Sequence, residues 1–232
     1  MPSLALVVGT GPGLSASIAR AFAARSYRPV LAARDTSDLA DLRDETNGVL
    51  VDCDASDPDD VARLFATVDD LDGALEVAVY NPSARSRGPI AELNPQDVRN
   101  ALDVTAFGAF LMAHHAARRM QVNGRGTMLF TGASAGVKGF AESAPFAMGK
   151  FALRGLCQSL ARELHPKNIH IGHVVIDGGI AGTPQHGRSN EVNGDDYMLD
   201  PDQVAKAYMN LIDQHRSTWA WEIELRPWIE TF

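Results

Sequence analysis

Short runs of apolar residues alternate along the whole chain with longer segments in which apolar positions recur with the period of an α-helix. Most of the short runs lack polar alternation, which is typical of strands that helices cover on both faces of a sheet. The short runs predict strands over residues 3–8, 29–33, 48–51, 75–80, 127–131, 170–176 and 222–225. The longer segments predict helices over residues 14–24, 36–46, 59–68, 96–121, 144–164 and 202–214. This order indicates an α/β protein built on a doubly wound parallel sheet.

The longest stretch without a clear element covers residues 177–199, which are rich in Gly, Asn and Asp. A loop of this length in a compact domain is usually functional or mobile. We expect it to select the substrate, and the sequence leaves open whether it closes over a ligand.

The amino-acid composition limits the number of domains and the kinds of binding partner that we expect. Of the 232 residues, 45% are apolar and 22% charged, and no linker-like stretch divides them, so we expect one domain over residues 1–232. The net charge of −8 and the scattered basic residues argue against nucleic acid or an anionic membrane as a partner. No apolar run is long enough to cross a bilayer. Cys53 and Cys157 form neither a CxxC pair nor a disulfide framework, which favours the cytoplasm.

The first predicted strand runs into a glycine-rich turn. Residues 9–15 read Gly-Thr-Gly-Pro-Gly-Leu-Ser, and a predicted helix with several alanines follows them. A diphosphate can approach backbone N–H groups closely only where side chains are absent, and the helix N-terminus adds favourable partial charge. Because the turn lies between a strand and a helix, it predicts a dinucleotide-binding site.

Further segments carry a resemblance to a known family. Residues 54–57 read Asp-Ala-Ser-Asp, residues 80–84 read Tyr-Asn-Pro-Ser-Ala, residues 146–150 read Phe-Ala-Met-Gly-Lys, and residues 177–183 begin Asp-Gly-Gly-Ile and end in Thr. With the glycine turn, these segments resemble the short-chain dehydrogenase/reductase family, in the same order and over nearly the whole chain. The family's turn is Gly-x-x-x-Gly-x-Gly, so Ser15 replaces its last glycine. The resemblance implies a three-layer Rossmann fold with a seven-stranded parallel sheet.

The resemblance also implies which residues hold the cofactor. The turn would bind the diphosphate, Asp54 and Ala55 would meet the adenine, and Asn81 and Lys150 would meet the nicotinamide side. The full expected set is Gly9, Thr10, Gly13, Leu14, Arg34, Asp54, Ala55, Asn81, Pro82, Lys150, Gly178, Ile180 and Thr183.

The residue after the second strand indicates which dinucleotide binds. An acidic residue there would accept a hydrogen bond from the adenosine ribose, but this strand ends in Ala33 and Arg34 follows. Charge-assisted hydrogen bonds from Arg34 to a 2′-phosphate would contribute roughly 1.5–3 kcal/mol each. We therefore expect NADP(H), with NAD(H) possible because Arg34 could also be an ordinary solvated arginine beside Asp35.

The family's chemistry is reversible hydride transfer between nicotinamide C4 and a carbonyl or alcohol carbon. A Tyr, assisted by a Ser, handles the charge on the substrate oxygen, and a Lys four residues after the Tyr holds the nicotinamide ribose. In this chain Lys150 keeps the lysine position, whereas Phe146 takes that of the tyrosine. Ala133 takes the serine position with Ser134 beside it, and Thr105 replaces a helix Asn. The expected catalytic set is Lys150, Ser134, Thr105 and Phe146.

These substitutions leave the proton donor open. Phe146 has no ionisable proton, so it would form an apolar wall rather than act as an acid or base. Such a group typically supplies about 10²–10⁴ in rate, whereas holding the reactants in position can contribute about 7–11 kcal/mol. A catalyst without the tyrosine is therefore feasible. The candidate donors are Ser134, a water bound to Lys150, and the loop residues His186 and Tyr197.

Two functions fit these residues. We prefer an NADP(H)-dependent oxidoreductase that acts on a small carbonyl compound or alcohol. The alternative is a catalytically silent dinucleotide-binding sensor or partner subunit, because three of the four catalytic positions are substituted. No cluster has zinc or calcium spacing. Trp219, Trp221 and Trp228 near the chain end belong to the core or to a subunit contact, and we expect a homodimer or homotetramer.

Overall fold

The computed structural model describes residues 3–182 and 189–230. Within these residues, seven strands form one sheet in which every neighbouring pair is parallel. The strands are β1 Ser3–Val8, β2 Tyr27–Ala33, β3 Val49–Asp52, β4 Ala74–Tyr80, β5 Gly126–Thr131, β6 Ile169–Ile176 and β7 Glu222–Leu225. Their order across the sheet is β3-β2-β1-β4-β5-β6-β7. The predicted seven-stranded, doubly wound sheet is therefore confirmed.

Helices cover both faces of this sheet. They are α1 Leu14–Ala23, α2 Ala40–Thr46, α3 Pro58–Asp70, α4 Pro95–Leu102, α5 Gly108–Asn123, α6 Ala144–Leu164, α7 Asn190–Asn193 and α8 Pro201–Ile212. One apolar cluster joins the sheet to α1, α2 and α8, with Phe22 and Tyr208 among its fully buried members. The other joins the opposite face to α3, α5 and α6, with Phe65 and Met120 fully buried. The three layers follow from strands whose side chains are apolar on both faces.

The segment predicted as one helix over residues 96–121 is interrupted. Residues Asp103–Phe107 form a π-helical turn between α4 and α5. The Tyr80 hydroxyl, at the end of β4, donates a hydrogen bond to the carbonyl oxygen of Val104 within this turn. A side chain that bonds to a helix carbonyl can maintain such an irregularity. Gly108 follows directly, and a Cβ there would overlap the Tyr80 hydroxyl.

Several other predicted boundaries differ by one to four residues, and two of these differences have an evident local reason. The helix expected from residue 36 begins at Ala40, because the backbone N–H and the hydroxyl of Thr36 both bond to the Asp52 carboxylate at 3.1 and 2.7 Å. The strand expected from residue 29 begins at Tyr27. Pro29 is tolerated within it because pairing with β3 begins only at Val30.

The stretch 177–199, expected to lack regular structure, contains α7 and an isolated bridge between Ile180 and Leu199. None of the helices in residues 3–182 and 189–230 is both long and apolar enough to cross a membrane.

Candidate functional site

A cleft opens where several strands end at the same edge of the sheet. Its lining comes from the segments that follow β1, β4, β5 and β6 and from the first turns of α6, and its volume is about 260 Å³. It lies at the point where the strand order reverses, because the chain leaves β1 towards β2 on one side and returns at β4 on the other. Open α/β sheets bind ligands at this position.

A larger hollow of about 570 Å³ lies at the opposite edge of the sheet, beside Gly73 and the first residues of β4. Two of its charged lining residues, Arg119 and Asp69, form a salt bridge with each other. We therefore place the candidate site in the smaller cleft, where the strand ends and the glycine turn meet.

The glycine turn after β1 packs closely against the segment after β4 and leads into an uncapped helix. Gly9 has φ of +82°, and a Cβ there would lie 2.6 Å from Cγ of Pro82. Gly13 precedes α1, and no side chain caps the helix N-terminus. The first N–H groups of a helix lack partners within the helix, so they favour an anion. The turn and its uncapped helix therefore fit a dinucleotide diphosphate.

Ser15, which replaces a glycine of the family pattern, links two loops of the cleft. Its side chain is buried, its hydroxyl donates to the carbonyl oxygen of Gly9 at 2.8 Å, and it accepts a hydrogen bond from Nδ2 of Asn81 at 2.7 Å. Asn81 itself follows β4, so one hydroxyl connects the segment after β1 to the segment after β4. This role of Ser15 was not predicted from the sequence.

The residues expected to meet the adenosine lie beside this cleft rather than in its lining. Arg34 is exposed at the end of β2. Asp54 follows β3, and Oδ1 of its carboxylate accepts hydrogen bonds from the backbone N–H and hydroxyl of Ser56, which lower the pKa of Asp54. The positive charge of Arg34 lowers it further. Arg34 and Asp54 are thus close enough to interact, while Ala55 is buried.

Lys150 is the most perturbed ionisable group in the cleft. Its side chain is 2% exposed, and Nζ donates a hydrogen bond to the carbonyl oxygen of Thr131 at 2.6 Å. Burial lowers the pKa of Lys150 to about 7, and the positive charge of Arg85 contributes to the decrease. Near neutral pH the amine is therefore populated in both its neutral and its charged form. This property suits a group that acts as an acid or a base.

Phe146 lies one turn before Lys150 on α6 and is 8% exposed. Cζ of Arg85 is 4.1 Å from the centroid of the Phe146 ring, and Nζ of Lys150 is 5.9 Å from the same centroid. Two cations therefore flank one aromatic ring. Arg85 was not predicted as a site residue, because in the sequence it is an arginine four residues after Asn81 with no motif around it.

Ser134 and Thr105, the other two expected catalytic residues, do not line the cleft. Ala133 does, but Ser134 begins a 3₁₀ turn and is absent from the lining. Thr105 is fully buried in the π-helical turn, where its hydroxyl oxygen accepts the N–H of Ala84 at 3.2 Å. Tyr197 is half-buried and is also absent from the lining.

Of the remaining expected cofactor residues, Gly13, Leu14, Asn81, Gly178 and Ile180 line the cleft with Gly9. Two others support the glycine turn without lining the cleft. The hydroxyl of Thr10 donates to the carbonyl oxygen of Val7 at 3.0 Å, and Pro82 packs against Gly9. Thr183 and His186 lie outside the described residues. In the part of the chain that is described, no three His, Cys, Asp or Glu side chains group closely enough to hold a metal.

A doubly wound parallel sheet with an uncapped, glycine-lined helix N-terminus at its switch point defines a dinucleotide-binding Rossmann protein. The sequence model of the short chain dehydrogenase family matches residues 3–193. The chain belongs to this family.

Individual relatives agree with this assignment. The 3-oxoacyl-[acyl-carrier-protein] reductase MabA of Mycobacterium tuberculosis is 30% identical over 175 residues, which cover 75% of this chain and 68% of MabA. A crystal structure of a short-chain dehydrogenase from Rhodopseudomonas palustris is similar with a TM-score of 0.83 and 33% identity, covering 97% of this chain and 99% of that one. A metagenomic short-chain oxidoreductase in complex with NADP has a TM-score of 0.82 and 25% identity, with 97% of each chain covered.

Proposed function

We propose that this protein is an NADP(H)-dependent oxidoreductase that interconverts a small carbonyl compound and the corresponding alcohol. The observation that carries the proposal is Lys150, a buried lysine with a pKa of about 7, in the same cleft as the glycine turn. Two relatives support it by their names, since one is a 3-oxoacyl reductase and another is a short-chain oxidoreductase in complex with NADP.

The cofactor would lie along the strand ends. Gly9, Gly13 and Leu14 would bind its diphosphate, Arg34 its 2′-phosphate, and Asp54 with Ala55 its adenine. At the other end Asn81 and Lys150 would hold the nicotinamide side, together with Gly178 and Ile180. The positive charge of Arg34 at the end of β2, where no acidic residue occupies the strand end, supports NADP(H) over NAD(H).

A bound nicotinamide would supply or accept the hydride at its C4. We assign the proton to Nζ of Lys150, acting directly or through a water, because it is the group in the cleft whose pKa lies near neutrality. Phe146, in place of the family's tyrosine, would form an apolar wall that keeps water from the reacting atoms. Ser134 and Thr105 would support the site rather than transfer the proton, because neither lines the cleft.

The test is NADPH consumption across a panel of ketones, aldehydes and quinones. We expect turnover of at least one class, and we expect Lys150→Met to lower kcat by about 10²–10⁴, the usual contribution of a positioned acid–base group. Lys206→Met is the matched control, because Lys206 is an exposed lysine on α8, and it should leave kcat unchanged. Equal activity of Lys150→Met and the wild type would contradict the role of Lys150.

One observation favours a second candidate function, a dinucleotide-binding sensor or partner subunit without turnover. Phe146 cannot donate a proton, and the hydroxyls of Ser134 and Thr105 do not reach the cleft lining. Tight NADPH binding with no consumption by any compound of the panel would favour this function over the oxidoreductase.

The chain also exposes aromatic side chains that support self-association. Phe107 and Phe110 stack with a centroid distance of 6.1 Å, His114 continues the row, and Phe110 is 46% exposed. Trp228, near the chain end, is 80% exposed, whereas Trp221 packs partly buried against the core. We propose a homodimer or homotetramer that covers such surfaces.

We further propose that residues 1–232 act as one dinucleotide-binding domain in the cytoplasm. Cys53 and Cys157 are both buried and unpaired, which suits a reducing compartment.

A further inference from the structure

The cleft that we assign to cofactor and substrate has an unbalanced charge. Arg85 and Lys150 contribute to its lining, and none of the described residues that line it is an aspartate or a glutamate. The whole chain carries a net charge of −8, so this local excess of positive charge runs against the average of the molecule. A concave site with one sign of charge concentrates ligands of the opposite sign.

Arg85 differs from the arginine nearest to it on α6. Arg154 forms a bidentate salt bridge with Glu222, with N–O distances of 2.6 and 2.7 Å. Among the described residues Arg85 has no such carboxylate partner, and its guanidinium lies over the ring of Phe146 instead. Its charged neighbours Arg87 and Lys150 both repel it. Arg85 is thus a cation of the cleft lining that has no anionic partner among the described residues.

The contact with Phe146, in which Cζ of Arg85 lies over the ring, does not use the N–H donors of Arg85. A guanidinium that lies over an aromatic face uses its π surface for that contact, while its N–H donors stay in the plane of the group. These donors match the two oxygens of a carboxylate in a bidentate arrangement. Phe146 therefore holds Arg85 in one position without using its donors.

The position of Arg85 points to the substrate rather than to the cofactor diphosphate. The diphosphate would lie at Gly9–Gly13 and the N-terminus of α1, and Asn81 is the residue after β4 that connects to this turn through Ser15. Arg85 lies four residues beyond Asn81 and contacts α6 at Phe146, next to Lys150. The guanidinium therefore borders the part of the cleft where we place the proton transfer.

We propose that Arg85 binds a carboxylate of the substrate, and that the substrates of this protein are small carbonyl or alcohol compounds that also carry an acidic group. The part of this proposal that concerns a reacting carbonyl rests on the proposed oxidoreductase function. The binding of a carboxylate by Arg85 does not depend on that function. Phe146 then has two roles. Its ring contacts and positions the guanidinium of Arg85, and it also forms an apolar wall of the cleft.

The first experiment measures binding without turnover. Benzoate and its neutral analogue benzamide are titrated, by calorimetry and by melting temperature, into the protein saturated with NADP⁺. We expect benzoate to bind more tightly than benzamide, and Arg85→Gln to weaken benzoate binding by about 10- to 100-fold, the loss of one charge-assisted bidentate pair. Arg85→Lys should restore only part of the affinity, because an ammonium lacks the planar fork.

Arg87→Gln is the matched control, an exposed arginine two residues further along the same loop that is not part of the cleft lining. It should leave benzoate binding nearly unchanged. Arg85→Gln and Arg87→Gln should both keep the wild-type Kd for NADPH and the wild-type melting temperature. If Arg85→Gln weakens NADPH as much as benzoate, Arg85 serves the cofactor and the proposal is wrong.

The second experiment compares kcat/KM for 4-carboxybenzaldehyde and its neutral methyl ester. We expect the acid to be preferred, and the preference to disappear in Arg85→Gln through an increase in KM. If the ester is used as well as the acid and Arg85→Gln changes neither, the proposal is overturned. If neither aldehyde nor any other carbonyl is reduced while benzoate binding still depends on Arg85, the proposed oxidoreductase function fails and the anion site stands.

Discussion

At the scale of single residues, Lys150 combines burial with a position in the cleft. Lys150 is 2% exposed, and its Nζ donates a hydrogen bond to the carbonyl oxygen of Thr131. Taking a charged amine out of water is costly, so the pKa falls from 10.5 to about 7. A group held in this way is unfavourable for stability but suited to proton transfer, a combination that is frequent at functional sites.

The burial of the Lys150 amine predicts how the free energy of unfolding depends on pH. Between pH 7 and 10.5 the unfolded chain, whose lysine has the ordinary pKa, binds more protons than the folded chain, so the free energy of unfolding should rise with pH in this window. Below pH 7 the amine is protonated in both states, and its contribution should be flat. Urea denaturation of the wild type and of Lys150→Met over this range measures the difference. A difference that does not change with pH would mean that the folded amine keeps its ordinary pKa.

At the scale of elements, the loops after β1 and β4 form one unit through Ser15. The hydroxyl of Ser15 bonds to Gly9 on one side and to Asn81 on the other. Both loops contribute to the cleft lining, so their relative position determines the shape of the site. Ser15 is the seventh residue of the glycine turn, where the family pattern has a glycine. In this chain its side chain connects the two loops by hydrogen bonds.

Removing this hydroxyl should loosen the site. Ser15→Ala removes the hydrogen bonds to Gly9 and to the half-buried amide of Asn81, and we expect a loss of about 1–3 kcal/mol in the free energy of unfolding. We also expect weaker NADPH binding. Ser17→Ala, at another buried serine of α1, is the control and should change both quantities less. Identical effects of the two substitutions would indicate that the bridge has no special role.

Element types could be predicted from the sequence because they depend on local periodicity, and α6 matches its predicted bounds. The π-helical turn could not, because it depends on the hydroxyl of Tyr80, which reaches it only after β4 has packed in the sheet. Arg85 escaped prediction for the same reason, since its contact with Phe146 joins a loop to a helix some sixty residues away. The glycine turn was predictable because its chemistry is contained in consecutive residues.

At the scale of the whole molecule, the sheet order places the distant segments of the cleft at one edge. β1, β4, β5 and β6 are neighbours, so the residues that follow them meet although up to about 170 positions separate them in sequence. The same fold leaves the row of Phe107, Phe110 and His114 at the surface. A monomer would expose this aromatic row to water at some cost.

The exposed row predicts an oligomer. Light scattering at micromolar concentration should give a mass of at least twice 24.9 kDa. Phe110→Asp should shift the mass towards the monomer, because a carboxylate in an apolar interface loses its hydration. Val122→Asp, at another exposed apolar residue of α5, is the control. A monomeric wild type would contradict the proposed assembly.

We propose above all that the turn after β1 and the cleft beside it hold a nicotinamide dinucleotide, with Arg34 at the adenosine phosphate. The most direct test is a titration of the purified protein with NADPH and NADH, followed by intrinsic fluorescence and melting temperature, with Arg34→Ala alongside. We expect both dinucleotides to bind, with NADPH about 10- to 100-fold tighter and the difference lost in Arg34→Ala. Equal affinities in the wild type would contradict the assignment of Arg34. No response to either dinucleotide would contradict the account as a whole.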